Sequence, residues 1–97
     1  MSCYVVLEFT AKPGTGPALA EALKQALPIT RQKQGCESLQ LTVNQDDSDN
    51  MAIVMLWRSR ADYDTYRAWR EASGDVKSFA EATTSGLTTR FFDILPA

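Results

Sequence analysis

The sequence predicts a single α+β domain whose elements follow the order β-α-β-β-α-β. Four stretches have the alternating or continuously apolar pattern of strands. Two stretches between them repeat apolar or aromatic residues every three to four positions, as helices do. The third predicted strand, Met51–Trp57, is apolar along its whole length. A strand of this kind is expected to be covered on both faces.

The first half of the chain contains a strand, a helix and a second strand. Tyr4–Thr10 alternates in character and is the first predicted strand. A helix is expected to begin at Pro17, a residue that suits the first helical position. Pro28 is expected to bend or interrupt it, because proline lacks the amide that the helix needs. Gly35 is a good helix stop, and Ser38–Asn44 alternates again as the second strand.

The second half begins with a predicted hairpin. The polar run Asp46–Asn50 has the composition of a turn, so it is expected to connect the second strand to Met51–Trp57. Ser59 has the spacing of a helix N-cap, with Asp62 at the third helical position. The second helix is therefore expected over Ala61–Ser73.

A shorter helical segment, Val76–Thr83, and a last strand, Leu87–Leu95, complete the predicted order. It is the ferredoxin-like arrangement, a four-stranded antiparallel sheet with both helices on one face. The other face would expose the second apolar set of Met51–Trp57, a larger patch than monomers usually leave open. We therefore expect a homodimer in which two copies pack sheet against sheet.

Composition excludes several functional classes. The 97 residues form one domain, 1–97, and the net charge of −2, with basic residues interleaved with acidic ones, argues against a nucleic-acid partner. The sequence has no histidine, and Cys3 and Cys36 alone do not make a zinc site, so no metal is expected. No apolar run approaches the ~20 residues of a membrane span, and the start lacks the layout of a signal peptide. We expect a cytoplasmic protein with no membrane partner.

Three features follow one another along the chain: the run Thr30–Cys36, the run Met55–Ser59, and an aromatic residue, Tyr63, six positions after Trp57. Through these features the whole chain resembles the antibiotic biosynthesis monooxygenase family of dimeric α/β barrels. It implies a cofactor-independent oxygenase that acts on quinol-like or polyaromatic substrates. It also implies a pocket between the helices and the sheet, with Trp57 in its wall.

A related branch of that family degrades haem with an Asn on the first strand, the Trp of the third strand and a His on the second helix. By the resemblance, the Asn position falls at Leu7 and the His position at Tyr66. Because two of the three signature residues differ, we expect no haem and no other cofactor.

The resemblance also names candidate site residues. Trp57 and Tyr66 are the expected catalytic residues. Trp57 either stacks a flat substrate or is a core residue; Tyr66 either packs or orients a substrate hydroxyl, since a phenol with a pKa near ~10 is a poor base at neutral pH. The expected substrate-binding residues are Leu7, Met55, Tyr63, Arg67, Phe79 and Arg90.

Three arginines are open to more than one interpretation. Arg67 and Arg70 either pair with acidic residues on the helix surface, or one of them points inward to hold a substrate oxyanion. Arg90 faces either the pocket or the dimer interface. Phe79 either packs the helical segments together or closes the pocket.

Two functions from different classes remain open at this point. One is a cofactor-independent monooxygenase that oxidises a small aromatic or quinol-like substrate with dioxygen. The other is a non-catalytic homodimer of the same fold that binds a small molecule or serves in a stress response. One fold hosts many functions, so the choice depends on the site.

Overall fold

The predicted element order is the one observed in a computed structural model, which describes residues 1–84 and 86–97. The elements are β1 (Cys3–Thr10), α1 (Gly16–Ala26), a 3₁₀ helix (Pro28–Gln32), β2 (Cys36–Asn44), β3 (Asp47–Trp57), α2 (Arg60–Ala72), α3 (Asp75–Glu81) and β4 (Thr88–Asp93). The strands form one antiparallel sheet in the order β2-β3-β1-β4. This is the ferredoxin-like α+β fold, with a sheet that stays open.

The core lies on the helix side of the sheet. Alternation along β1 and β3 sends every second side chain there, and these side chains are buried. Helices α1 and α2 cover them. The principal buried residues are Val5, Leu7, Phe9, Leu23, Leu27, Met51, Ile53, Met55, Trp57, Tyr63 and Tyr66. The other set of β3, Ala52, Val54 and Leu56, is only half-buried in a single chain.

The hairpin differs from its prediction. The turn consists of residues 45 and 46 alone, and β3 already begins at Asp47, so the expected turn over Asp46–Asn50 is wrong. The Asn44 side chain accepts a hydrogen bond from the Asp46 amide at 2.9 Å, which supports a tight turn. The acidic run extends into the strand because Asp49 has a partner elsewhere in the fold.

Asp49 anchors the start of α1. Its Oδ1 accepts a hydrogen bond from the Gly16 amide at 2.8 Å, and its Oδ2 accepts one from the Gly14 amide at 2.9 Å. A carboxylate at a helix start accepts hydrogen bonds from the free amides, and its negative charge interacts favourably with the positive end of the helix dipole. The approach is so close that a Cβ on Gly16 would overlap the backbone oxygen of Ser48.

The helix signals at Pro28 and Ser59 are confirmed, and apart from the start of β3 the other element ends lie within two residues of the predicted ones. α1 ends at Ala26, and the 3₁₀ helix that begins at Pro28 replaces its next turn. Gly35 has the expected left-handed conformation, with a φ of +88°, but it lies in the turn before β2, three residues after the 3₁₀ helix ends at Gln32. Ser59 Oγ accepts a hydrogen bond from the Asp62 amide at 3.2 Å, which is the predicted N-cap of α2.

Candidate functional site

A cavity of about 270 Å³ lies between the three α-helices and the helix side of the sheet. Its walls are mostly apolar. Leu19, Leu23 and Leu27 of α1 and its end contribute one wall, and Leu7, Ile53 and Met55 of the sheet contribute the floor. The volume is just below the range of roughly 300–1,000 Å³ typical of ligand pockets, which suits a small ligand.

Polar side chains gather at one end of this cavity, which we call the polar end. It comprises Tyr63, Tyr66, Arg67 and Arg70 of α2 and Asp75 of α3. The four α2 residues follow the spacing i, i+3, i+4 and i+7, which puts them on one face of the helix. Helix periodicity therefore directs two phenols and two guanidinium groups at the same space.

Tyr66 is bound from two sides. Its hydroxyl lies 2.9 Å from Thr30 Oγ1, and Arg70 Nε donates a hydrogen bond to it at 2.9 Å. Arg70 Nη2 also donates to Thr30 Oγ1 at 3.1 Å and to the backbone oxygen of Ala26 at 3.0 Å. Arg70 Nη1 donates to Asp75 Oδ2 at 2.8 Å. One guanidinium thus connects α2 to the end of α1, to the 3₁₀ helix and to α3.

The two charged groups of this network, Arg70 and Asp75, both stay ionised near neutral pH. Burial alone lowers the pKa of Arg70, but hydrogen bonds to Asp75 and Tyr66 outweigh it, so the pKa lies above its ordinary value. The hydrogen bond from Arg70 lowers the pKa of the Asp75 carboxyl. Both groups therefore stay ionised together.

Tyr63 and Arg67 form a second pair at the polar end. Arg67 Nη1 donates to the Tyr63 hydroxyl at 3.0 Å and to Thr89 Oγ1 at 3.3 Å. Arg67 Nε is buried, and no residue in ranges 1–84 and 86–97 accepts a hydrogen bond from it. Glu71 Oε1 lies 3.8 Å away, beyond hydrogen-bond distance. Burial raises the pKa of Tyr63, with the Arg67 hydrogen bond opposing the rise, so this phenol is neutral at physiological pH.

Trp57 lies behind the tyrosines and does not line the cavity, contrary to the expectation from the sequence. Its side chain is 0% exposed. Its ring is 5.1 Å from that of Tyr66 and 5.8 Å from that of Tyr63, and its indole N–H points to Met55 Sδ at 3.4 Å. As the last residue of β3, Trp57 is covered by both tyrosines, so its contact with the cavity is indirect.

Arg90 lies on the face of the sheet opposite the cavity, so of the two positions that the sequence left open the structure does not support the one in the pocket. It donates to Glu8 Oε1 at 2.7 Å on that face. Alternation along β4 explains the correction, because the neighbouring Phe91 points to the helix side and packs edge-on against Tyr63 at 5.5 Å.

The remaining predicted residues come together. Leu7, Met55, Tyr63, Tyr66, Arg67 and Phe79 all line the cavity. The Phe79 ring on α3 also packs edge-on against Phe9 at a centroid distance of 4.6 Å, so it both packs and borders the cavity.

Two members of the hydrogen-bond cluster were not predicted. Thr30 is fully buried beside Tyr66 although it belongs to the polar run after Pro28. Asp75 is brought back to Arg70 by Gly74, whose φ is +84°. The sequence left open whether Arg70 pairs on the helix surface or points inward. Its position four residues after Tyr66 is the sequence signal that favours the inward position.

The described part of the chain, residues 1–84 and 86–97, contains neither a metal-ligand cluster nor a membrane-spanning helix. No three His, Cys, Asp or Glu side chains there are grouped as metal ligands. No helix in the same ranges is both long and apolar enough to cross a membrane.

Comparison with known proteins adds a family and a fold. A family model described as "Antibiotic biosynthesis monooxygenase" matches residues 2–82. The solved structure of Rv0793 from Mycobacterium tuberculosis is 22% identical, with a TM-score of 0.85 over 100% of this chain and 98% of that chain. A structure described as an antibiotic biosynthesis monooxygenase is 21% identical, with a TM-score of 0.84 over 97% of this chain and 99% of that chain.

A third solved structure, PA3566 from Pseudomonas aeruginosa, is 20% identical, with a TM-score of 0.79 over 98% of this chain and 95% of that chain. At these identities the structural likenesses establish the fold alone. No curated protein matched the chain.

Proposed function

Because the chain belongs to the antibiotic biosynthesis monooxygenase family, we propose that it oxidises a small aromatic or quinol-like substrate with dioxygen and without a cofactor. The observation that carries the proposal is the cavity of about 270 Å³ with apolar walls and one polar end. Flat apolar rings fit the walls, and a ring oxygen fits the end that holds phenols and guanidinium groups.

The chemistry requires an electron-rich substrate anion. Such an anion gives one electron to dioxygen, and the resulting radical and superoxide combine to form a C–O bond. The peroxide anion formed in this way takes up a proton to give a hydroperoxide. The O–O bond then breaks, the outer oxygen leaves as water with the hydrogen of the same carbon, and the inner oxygen stays in the product as a carbonyl group. A protein assists by orienting the substrate, excluding water and stabilising the anion.

In this proposal the residues at the cavity have separate tasks. Arg67 and the neutral Tyr63 hydroxyl are close enough to share a hydrogen bond of 3.0 Å, so both can stabilise one ligand oxygen. Tyr66 orients the ligand from the other side, held by Arg70 and Thr30. Trp57 is a positioning residue, because it supports both tyrosines from behind.

The experiment is oxygen uptake by the purified protein with an anthrone and with 1,4-dihydroxynaphthalene, without added flavin, nicotinamide or metal. We expect uptake that saturates with substrate. Ala22→Trp places a large ring in the cavity wall and is expected to abolish uptake, because Ala22 borders the cavity. Ala18→Trp is the matched control, because Ala18 is an equally exposed alanine on the same helix but does not line the cavity. No uptake above the spontaneous rate with either substrate contradicts the proposal.

One observation favours the second function, a small-molecule-binding protein without catalysis. Both phenol oxygens at the polar end are already bonded to arginines, and Asp75, the carboxylate among the described lining residues, is bonded to Arg70. No free general base therefore faces the cavity in the described part of the chain. Ligand binding that Ala22→Trp abolishes, without any oxygen uptake, is the result expected for this function.

A further inference from the structure

The cavity offers hydrogen bonds on one side only. In the part of the chain that the structure describes, its hydrogen-bonding side chains all belong to α2 and α3, as the polar end and Ser78. The other surfaces are lined by aliphatic side chains and one thioether. They are the α1 wall, with Leu19, Leu23 and Leu27, and the sheet floor, with Leu7, Ile53 and Met55. A ligand atom that points to the wall or the floor therefore meets carbon or sulfur.

The main chain behind the wall and the floor offers no substitute. Leu7 lies on β1, between β3 and β4, and Ile53 and Met55 lie on β3, between β1 and β2. Their amides and carbonyl groups are therefore used within the sheet. The sulfur of Met55 already accepts the indole N–H of Trp57 at 3.4 Å. In α1 the main-chain groups bond along the helix itself.

The wall and the floor also form the deepest part of the cavity. Five of their six side chains are buried, and that of Leu19 is half-buried. The exposed lining residues lie instead on α1 and α3, and they are Ala22, Ala26, Asp75 and Ser78. The cavity therefore opens between these two helices, and a ligand that fills it has its deepest edge on apolar side chains.

These surfaces distinguish between aromatic ligands of the same size. A ring with hydrogen-bonding atoms on one edge can direct them to the polar end and place its unsubstituted edge on the wall and the floor. A ring with such atoms on opposite edges has no equivalent position. If it lies deep, its second polar atom leaves water without gaining a partner. If it shifts to keep that atom in the opening, the wall and the floor lose their contact with the ring.

We propose that the cavity selects aromatic ligands whose hydrogen-bonding atoms all lie on one edge, and that the α1 wall and the sheet floor determine this specificity by excluding a polar atom from the opposite edge. The inference rests on the proposed function for its meaning in turnover. Of the two substrate types tested there, an anthrone has an unsubstituted carbon opposite its oxygen, whereas a 1,4-diol has hydroxyls on opposite edges. The substrate class is therefore the anthrone type. The binding specificity itself requires no turnover.

Oxidation changes this fit. In the proposed reaction the new carbonyl oxygen forms on the unsubstituted carbon, because that carbon carries the hydrogen that leaves in water. The product therefore has oxygens on opposite edges and binds more weakly than the substrate, which favours its release.

The test compares two isomers of the same formula and size, 2,3-dihydroxynaphthalene and 2,6-dihydroxynaphthalene, by calorimetric titration with oxygen removed. The first has both hydroxyls on one edge, and the second has them on opposite edges. We expect the 2,3 isomer to bind about ten- to hundredfold more tightly, which is the extent to which an apolar pocket rejects an added hydroxyl.

Variants assign the effect to the floor and the wall. Ile53→Thr and its control Ile53→Val give side chains of nearly the same shape that differ in one hydroxyl. We expect Ile53→Thr to bind the 2,6 isomer about tenfold more tightly than Ile53→Val does, with no such gain for the 2,3 isomer. Leu19→Gln and its apolar control Leu19→Met make the same comparison at the half-buried part of the wall, and they decide the question if Ile53→Thr does not fold.

Equal affinities for the two isomers overturn the inference, and so does tighter binding of the 2,6 isomer or no binding of either. The outcome is separable from that of the proposed function. A preference for the 2,3 isomer without oxygen uptake keeps the specificity and rejects the oxygenase. Oxygen uptake by a protein that binds both isomers equally keeps the oxygenase and rejects the inference.

Discussion

The Tyr66 hydroxyl is the shared partner of a buried threonine and a buried part of an arginine, so removing it affects more than the cavity. Tyr66→Phe leaves Thr30 and Arg70 without an acceptor, and we expect a loss of about 1–3 kcal/mol in unfolding free energy. Thr30→Val should have a similar cost. Because the double variant removes both ends of one bond, its loss should be smaller than the sum of the single losses by about 1 kcal/mol.

Urea denaturation of these variants measures the coupling. Thr65→Val is the matched control, because Thr65 is an exposed threonine on α2 whose hydroxyl donates to the backbone oxygen of Ala61 in the same helix at 3.1 Å. Strictly additive losses for Thr30→Val and Tyr66→Phe would contradict the hydrogen bond between the two residues.

Tyr63 is expected to make stability depend on pH in alkaline solution. Burial raises its pKa, so in the folded chain it stays neutral at a pH where the unfolded chain, with a pKa near ~10, already loses the proton. The folded state then binds more protons, so this contribution to stability is present below a pH of about 10 and is lost as the pH rises through the folded pKa. The difference in unfolding free energy between wild type and Tyr63→Phe should therefore shrink as the pH rises above about 10. A difference in unfolding free energy that does not change with pH would show that burial does not raise the pKa of Tyr63.

At the scale of the elements, the start of α1 tolerates no side chain. In Gly16→Ala the new Cβ would meet the backbone oxygen of Ser48 and would lie 2.7 Å from Asp49 Cα, so the helix start and β3 must separate. We expect a loss of more than about 3 kcal/mol, an unusually large effect for one methyl group. Gly14→Ala is the control: it has no atom within 4 Å of the new Cβ, so it should lose only the ~1–2 kcal/mol of a positive φ. Thermal or urea denaturation of both variants makes the comparison, and equal losses would contradict the close approach.

Local patterns predicted the elements but not the contacts between distant ones. The N-cap Ser59 and the break at Pro28 are visible in the sequence because each acts within one turn of chain. The acidic run before Met51 was misassigned because Asp49 serves a helix start 33 positions earlier. A composition typical of turns was overridden by a tertiary hydrogen bond.

The same distinction applies to the site. The face of α2 that lines the cavity follows from helical spacing, so Tyr63, Tyr66 and Arg67 could be named in advance. Thr30 could not, because its hydrogen bond to Tyr66 spans 36 positions. Trp57 was expected in the wall because of the family resemblance, and the strand pattern could not correct this, since it gives the face of a residue but not which neighbours cover it.

At the scale of the whole molecule, the open face of the sheet is the feature that a single chain leaves unexplained. Tyr4 and Phe92, partners across β1 and β4, are 40% and 47% exposed there, and Val54 on β3 is half-buried. We propose that a second copy of the chain covers this face, because a contiguous apolar patch is a typical protein interface.

The oligomeric state tests this proposal. Light scattering after gel filtration should give the mass of two chains for wild type. Val54→Lys puts a charge at the centre of the open face and should produce monomers. Val43→Lys is the control, since this valine is 56% exposed at the edge strand and its alternate set points to the helix side. A monomeric wild-type protein at micromolar concentration would reject the dimer.

The helix break at Pro28 frees a main-chain oxygen that holds Arg70 at the cavity. In an uninterrupted α-helix the Thr30 amide would bond to the oxygen of Ala26, but here it bonds to Leu27 at 2.9 Å, and the Ala26 oxygen accepts from Arg70 instead. Arg70 is therefore held by a main-chain atom, which every residue type supplies. A library that varies the α1 wall at Leu19, Ala22 and Leu23 can thus reshape the space for a ligand and leave the hydrogen-bonding groups in register. In this fold the shape of the cavity can therefore be changed while the hydrogen bond between Arg70 and the main chain is kept.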